Sequence, residues 1–107
     1  LSRADLSGAD LSYSDLRGAG LELVNFENAS LGRSCLRGAQ LEGANLRSAF
    51  LAHADLEGAM LRQALYDNKT IWPNPFAPPA DAINWDALNE VERNLLREWR
   101  WYLQRRD

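Results

Sequence analysis

The chain has 107 residues, of which 46% are hydrophobic, and a formal net charge of −3 at pH 7. This length suits one small domain with a single core, and no apolar run approaches the roughly 20 residues that a membrane-spanning helix needs. The slight excess of acids argues against direct nucleic-acid binding by overall charge. Because Cys35 is the single cysteine, the chain cannot form an internal disulfide bond.

The first part of the chain, residues 1–65, consists of thirteen consecutive five-residue units. Each unit has one large apolar residue, which is Leu in twelve units and Phe26 in the other, and a small residue, usually Ala, lies two positions before it. A helix would rotate such a stripe by about 140° per unit. A straight strand would turn successive Leu side chains to opposite faces. The period therefore predicts a coil that turns a corner in each unit and stacks into a solenoid.

Several units share a motif: residues 4–8, 44–48 and 54–58 read ADLSG, ANLRS and ADLEG. They resemble the A(D/N)LXX pattern of the pentapeptide-repeat family, and this resemblance covers residues 1–66. The following segment, YDNKTIWP at residues 66–73, is similar to one that follows the coil in many cyanobacterial members. The resemblance implies a right-handed quadrilateral β-helix with four units per turn and no catalytic residues.

Four units per turn would place residue n beside residue n+20, so residues 1–66 would form about three turns at the strand spacing of a sheet. One predicted core column comprises Leu6, Phe26, Leu46 and Tyr66. The open end of the last turn would present Leu51, Leu56, Leu61 and Tyr66.

Residues 67–80 contain all four prolines and are predicted to form an extended tail. Three outward positions of the last turn are apolar where the turns below are polar, namely Phe50, Met60 and Leu65. We expect the tail to pack on these three sides through Ile71, Trp72 and Phe76. The fourth side, with Asp15, Cys35 and Asp55, is expected to stay free.

Residues 81–107 carry a helical period, with Asp81 or Asn84 as the predicted cap. One face of this predicted helix is apolar and comprises Trp85, Leu88, Val91, Leu95, Trp99 and Tyr102. A lone amphipathic helix must bury its stripe, and we expect it to close the open end of the coil. The predicted cap contacts are Phe50, Met60, Leu65, Trp72, Leu88, Leu95 and Trp99.

The predicted fold is therefore an all-β solenoid plus a C-terminal α-helix. Residues 1–66 form the β-helix of about three turns, residues 67–80 the Pro-rich tail and residues 81–107 the capping helix.

The grouping that most resembles a metal site is Asp15, Cys35 and Asp55, which stack on one side of the coil with His53 next to Asp55. It lacks the close ligand spacing of zinc sites, so we predict no metal, no cofactor and no catalytic residue. These four residues instead form a candidate partner surface. Trp101, which is flanked by arginines, is a further candidate. Packing on the tail is the favoured alternative for Trp101.

The predicted function is a non-enzymatic structural or protein-interaction module with an unidentified protein partner. The alternative is a DNA mimic that inhibits a type II topoisomerase such as DNA gyrase, an activity of some longer, dimeric family members. Residues 1–66 carry eight acids and six arginines, a balance too even for a strong mimic. An enzyme would need a pocket with converging groups, which a tube filled with Leu does not offer.

The N-terminal end of the coil raises a separate question, because its first Leu residues should expose apolar surface and unpaired strand edges. Either more repeats or another element precede Leu1 in the native protein, which we favour, or two coils stack end to end as a homodimer. The cytoplasm is the favoured location. The thylakoid lumen and the periplasm are the alternatives if an upstream signal was removed.

Overall fold

The computed structural model describes residues 1–105. Its first part is a coil of five-residue units that share one backbone pattern. In each unit the amide of the small residue donates to the carbonyl of the preceding Leu, as from Ala4 N to Leu1 O at 3.0 Å. The third residue of every unit, from Arg3 to Gln63, has a positive φ. One positive φ at this place is the signature of a type II turn. Each unit therefore turns its own corner, as the five-residue period predicts.

Successive turns pair in parallel, with residue n beside residue n+20. One such column runs through Asp5, Asn25, Asn45 and Leu65. Backbone amides donate to the next turn, as from Leu6 N to Asn25 O at 2.8 Å. The pairing confirms four units per turn. Because each unit contributes one bridge residue between two bends, few residues form a continuous strand.

The Leu side chains fill the tube of the coil. Phe26 and Leu46, from the predicted core column, are fully buried, and Leu6 packs against them less completely at the lower end. The last turn is also buried at Leu51, Leu56 and Leu61. Tyr66 lies half-buried at the top of its column, where its ring contacts Trp72 edge to face with 5.6 Å between centroids. The core thus forms one continuous stack from Leu21 upward.

The tail extends two sides of the coil beyond the last repeat. Ile71 pairs with Phe50, one residue later than the regular register. Strand β1 (Leu65–Tyr66) pairs in parallel with strand β2 (Ile83–Asn84). Between these two pairings, Trp72 and Phe76 pack on the core cluster.

Asp67 makes the transition from coil to tail. A regular coil would offer Ser48 N the backbone carbonyl of residue 67; instead the Asp67 side chain accepts this hydrogen bond at 2.9 Å. The Asp67 carbonyl accepts from Thr70 N at 3.2 Å, and Thr70 Oγ1 donates to Leu46 O at 2.8 Å. These bonds satisfy the edge of the last turn while the chain leaves the repeat.

The helix begins later than its sequence period predicts. A short 3-10 helix, Trp85–Ala87, follows β2, and Asn84 caps it by accepting from Asp86 N at 3.0 Å. The α-helix, α1, spans Glu90–Arg105. Asn89 and Glu92 exchange side-chain and backbone hydrogen bonds at 2.8 Å, which is a capping box. The prediction of a helix from residue 81 is wrong, because Ile83 pairs with Leu65 as a strand and so delays the helix.

The helix lies against the side of the coil and does not close its end. Gln104 Nε2 donates to Leu23 O at 3.0 Å, and α1 has no fully buried residue. Arg93, Arg100 and Gln104 therefore face inward, so the predicted orientation of the helix is wrong. Two causes are visible: Trp72 and Phe76 already pack on the core at the end of the coil, and the pairing of β2 with β1 starts the helix beside it.

This orientation corrects part of the predicted cap. Leu95 is 62% exposed and Trp99 41% exposed, so they do not act as cap contacts, and Leu88 is half-buried. Met60 is 42% exposed and is therefore not covered as predicted. Phe50 is 47% exposed and its ring packs down on Gly32, whereas Leu65 is buried under β2.

Within the described residues, no helix is long and apolar enough to cross a membrane.

Candidate functional sites

The stacked acidic side of the coil is held by ion pairs. Asp15, Cys35 and Asp55 lie beside one another in successive turns, paired through their backbones as parallel β-bridges. Arg17 binds both oxygens of Asp15, at 2.8 and 2.7 Å. The hydrogen bonds from the Arg17 side chain, and then from its backbone, lower the pKa of Asp15 to about 2. Arg37 lies between Asp55 and Glu57, at 3.1 and 3.0 Å. Because their pKa values are lowered, Asp15 and Asp55 are ionised near neutral pH, and their bonds to arginines make them poor proton donors or acceptors there.

His53 is turned away from this acidic stack. It occupies the positive-φ place of its unit and lines a shallow cavity with Tyr13 and Phe50. Cys35 is a free, half-buried thiol. The described residues contain no group of three or more potential metal ligands, and the structure does not bring His53 together with Cys35 as a ligand set.

An open groove of about 610 Å³ lies beside the acidic side, between residues 54–59 and the prolines of the tail. In the part of the chain that the structure describes, Leu56 N and Gly58 N donate no hydrogen bond. The tail runs over this edge without pairing with it, since no carbonyl of the described tail accepts from either amide. The groove is thus an unpaired edge of the last turn.

The outer face of α1 carries an apolar surface. We call it the apolar stripe: Val91, Leu95, Trp99 and Tyr102, which are between 41% and 67% exposed. Beside it, a cavity of about 420 Å³ is lined by Ile83, Leu88, Leu95, Leu96, Trp99 and Glu92. Four large apolar side chains thus lie in one exposed helical row, and contiguous apolar surface of this kind is uncommon on monomers.

The inner face of α1 meets the coil through arginines and tryptophans. The guanidinium groups of Arg47, Arg93 and Arg97 surround the Trp85 ring, at 4.5, 5.4 and 5.2 Å from its centroid. Arg93 also donates to Trp85 O at 3.1 Å. Since guanidinium groups stack well on indole rings, these contacts hold the inner face of α1 against the coil.

A cleft of about 290 Å³ opens in this interface. We call it the arginine cleft; its charged lining is Arg47, Arg97, Arg100 and Arg105. Trp101, the candidate from the sequence, lines this cleft, is 59% exposed, and has Arg105 at 4.6 Å from its ring. It lies against arginines at the edge of the cleft.

Arg100 is the unusual residue of the arginine cleft. Its Nη1 atom is buried without a hydrogen-bond partner in the described residues. Burial, and then repulsion from Arg47, lowers the pKa of Arg100 to about 10. The group therefore stays charged at neutral pH in surroundings that do not neutralise it.

The arginine cleft was missed in the sequence, although a signal for it exists. Arg93, Arg97, Arg100 and Gln104 recur at helical spacing and form a second stripe on the opposite side from the apolar one. Sequence reasoning assigned the apolar stripe to the interior, because burial of apolar surface is the usual driving force. The arginine stripe, together with Trp85 just before the helix, could have indicated that the arginine face is the inner one.

Comparison with protein families gives one matching model, described as pentapeptide repeats. It matches residues 1–38 and 25–63. A comparison with curated proteins gives no significant match.

Solved structures agree with this result. A pentapeptide repeat protein of Nostoc Pcc 7120, alr5209, is 40% identical, with 72% of this chain and 68% of that chain covered and a TM-score of 0.59. AT2G44920, a pentapeptide repeat protein from the Arabidopsis thaliana thylakoid lumen, is 26% identical over 86% of this chain and 77% of that one, with a TM-score of 0.60. The five-residue turns, the n+20 pairing and these similarities show that the chain belongs to the pentapeptide-repeat family, whose fold is the right-handed quadrilateral β-helix.

Proposed function

We propose that the chain is a non-enzymatic module that binds a protein partner through the apolar stripe of α1. The observation that carries this proposal is the exposure of Val91, Leu95, Trp99 and Tyr102 on a helix held in place by its other face. Exposed aromatic and aliphatic side chains in one row form the kind of anchor that interfaces bury. A helix fixed to a rigid coil also loses little conformational entropy on binding.

The chemistry of the coil supports a module without catalysis. The carboxylates that stack on its side are ion-paired, with the pKa of Asp15 about 2, so they are badly suited to general acid or base work. The interior of the coil is filled by Leu side chains and offers no room for a substrate. The alternative of a DNA mimic finds no specific support in the described residues, because arginines such as Arg17 and Arg37 neutralise the acidic side.

The margins of the apolar stripe suggest which partners fit. On a helical projection, Glu92 and Glu98 flank the stripe on its two sides. We expect a partner with an apolar ridge and basic margins, such as an amphipathic helix.

The test is affinity capture from host extract with the full chain, followed by direct binding of the captured protein. Leu95→Glu together with Trp99→Glu should abolish binding of that protein. Glu98→Gln, at the margin, should change affinity by less than about tenfold, since a rim charge contributes at most about 1 kcal/mol. Equal binding by the wild type and the double variant would refute the proposal.

Solution mass separates a foreign partner from a second copy. We expect the wild type to be a monomer across a wide concentration range. A dimer that Trp99→Glu converts to monomer would show that the stripe pairs with itself. A dimer sensitive only to Leu6→Glu would instead support the end-to-end homodimer, which remains a prediction.

A further inference from the structure

The arginine cleft and its surroundings carry more positive charge than the local acids neutralise. Five guanidinium groups belong to this region, from Arg47, Arg93, Arg97, Arg100 and Arg105. Three carboxylates pair with them: Glu27 with Arg47 at 3.4 Å, and Asp86 and Glu90 with Arg93 and Arg97 at 3.9 Å. Two positive charges remain, on Arg100 and Arg105, which have no carboxylate partner among residues 1–105.

The unpaired charge on Arg100 is costly for the protein alone. Arg100 is half-buried, and burying even part of an ion without a partner is unfavourable. Glu42 Oε1 is also buried without a hydrogen-bond partner, but Glu42 does not line the arginine cleft. Nη1 lies beside Gly43, outside the lining of the cleft, but Arg100 itself lines the cleft, so its positive charge can attract an anion there.

The cleft is also shaped before any ligand enters. The Trp85 ring holds Arg47 and Arg97, and the Trp101 ring holds Arg105. Stacking on a ring face restricts a guanidinium group but leaves its edge N–H groups free to donate. Gln104, one turn of α1 after Arg100, is fixed by its bond to Leu23 O of the coil. Such prior ordering reduces the entropy that binding would cost.

We propose that the arginine cleft binds a small soluble phosphate monoester as its dianion. Two uncompensated positive charges match a phosphate monoester, which carries between about −1.5 and −2 at pH 7. A guanidinium group can donate two parallel hydrogen bonds to two oxygens of a phosphate. A carboxylate has only two oxygens, so it engages fewer of the arginines in the cleft than a phosphate does. A cleft of about 290 Å³ restricts the ligand to the phosphate and a small attached group. This site lies on the inner face of α1 and is independent of the apolar stripe.

Isothermal titration of the full chain with phenyl phosphate and with inorganic phosphate tests the site. Acetate serves as the monoanion, and sodium chloride keeps the ionic strength constant because screening weakens all such contacts. We expect both phosphates to bind the wild type with one site per chain, and acetate to bind at least about tenfold more weakly. Arg100→Gln and Arg105→Gln should each weaken phosphate binding about tenfold or more, since hydrogen bonds to charged groups are the strong ones.

Arg33→Gln is the matched control, because Arg33 is exposed on another side of the coil. It should bind both phosphates like the wild type. Circular dichroism verifies folding, and Arg100→Gln should not unfold the protein because it removes an unpaired buried charge. Unchanged affinity in either cleft variant, equal loss in Arg33→Gln, or no binding by the wild type would overturn the proposal. Binding to phosphatidic acid vesicles without binding of either soluble phosphate would overturn the assignment to a soluble ester.

Discussion

The energetic cost of the left-handed backbone conformation in each unit can be tested at Gly38, whose φ is +68°. An ideal Cβ built on Gly38 has nothing within 4 Å, so Gly38→Ala adds no clash. Only the backbone conformation is then penalised. The left-handed region costs an L-residue about 1–2 kcal/mol. Alanine recovers about 0.4–1 kcal/mol by restricting the unfolded chain, which leaves a net loss of about 1 kcal/mol.

This loss is measurable by urea unfolding followed by circular dichroism. Tryptophan fluorescence is less suitable, because all four tryptophans lie outside the coil. Against a total stability of about 5–15 kcal/mol, the midpoint should fall clearly while the m-value stays constant. Arg33→Gly is the reciprocal variant, since Arg33 holds φ at +59° in the same place of its unit and is exposed. It should leave stability unchanged or raise it by about 0.5 kcal/mol. If Gly38→Ala left the midpoint unchanged in a correctly folded protein, the type II turn would not be what this position requires.

Two further predictions concern the junction between coil and tail. Burial raises the pKa of Asp67, but hydrogen bonds from Ser48, Lys69 and Thr70 outweigh it and hold the pKa below its ordinary value of 3.8. A lowered folded pKa contributes stability above the unfolded value, and this contribution is lost as pH falls through the folded value. Asp67→Asn should therefore cost roughly 1 kcal/mol at pH 7, and its difference from the wild type should shrink below about pH 4; exposed Asp81→Asn is the control, and a difference independent of pH would contradict this role of the carboxylate. Phe50→Asp should cost about 1–2 kcal/mol in urea unfolding, because about half of a Phe side chain leaves its contact with Gly32; an unchanged midpoint would show that the ring does not cover that glycine.

The coil was predictable from sequence because each of its units is locally complete. A unit supplies its own turn and its own inward Leu, and the four-unit turn implied by the family fixes the n+20 register. The acidic stack followed from that register, since Asp15, Cys35 and Asp55 are twenty residues apart. The pairing with arginines did not follow, because a long side chain such as that of Arg37 can reach several neighbours.

The sequence by itself determined the coil, the exit from it near Tyr66 and the existence of an amphipathic helix. Only the tertiary structure decided which face of that helix turns inward. Helical periodicity identifies residues that share a face, but the direction of the face depends on what the preceding segment presents to it. Here the pairing of Ile83 with Leu65 sets Trp85 beside the coil, where Arg47, Arg93 and Arg97 gather on its ring. The arginine stripe then becomes the interface with the coil, and the apolar stripe is left exposed on the outer face of α1.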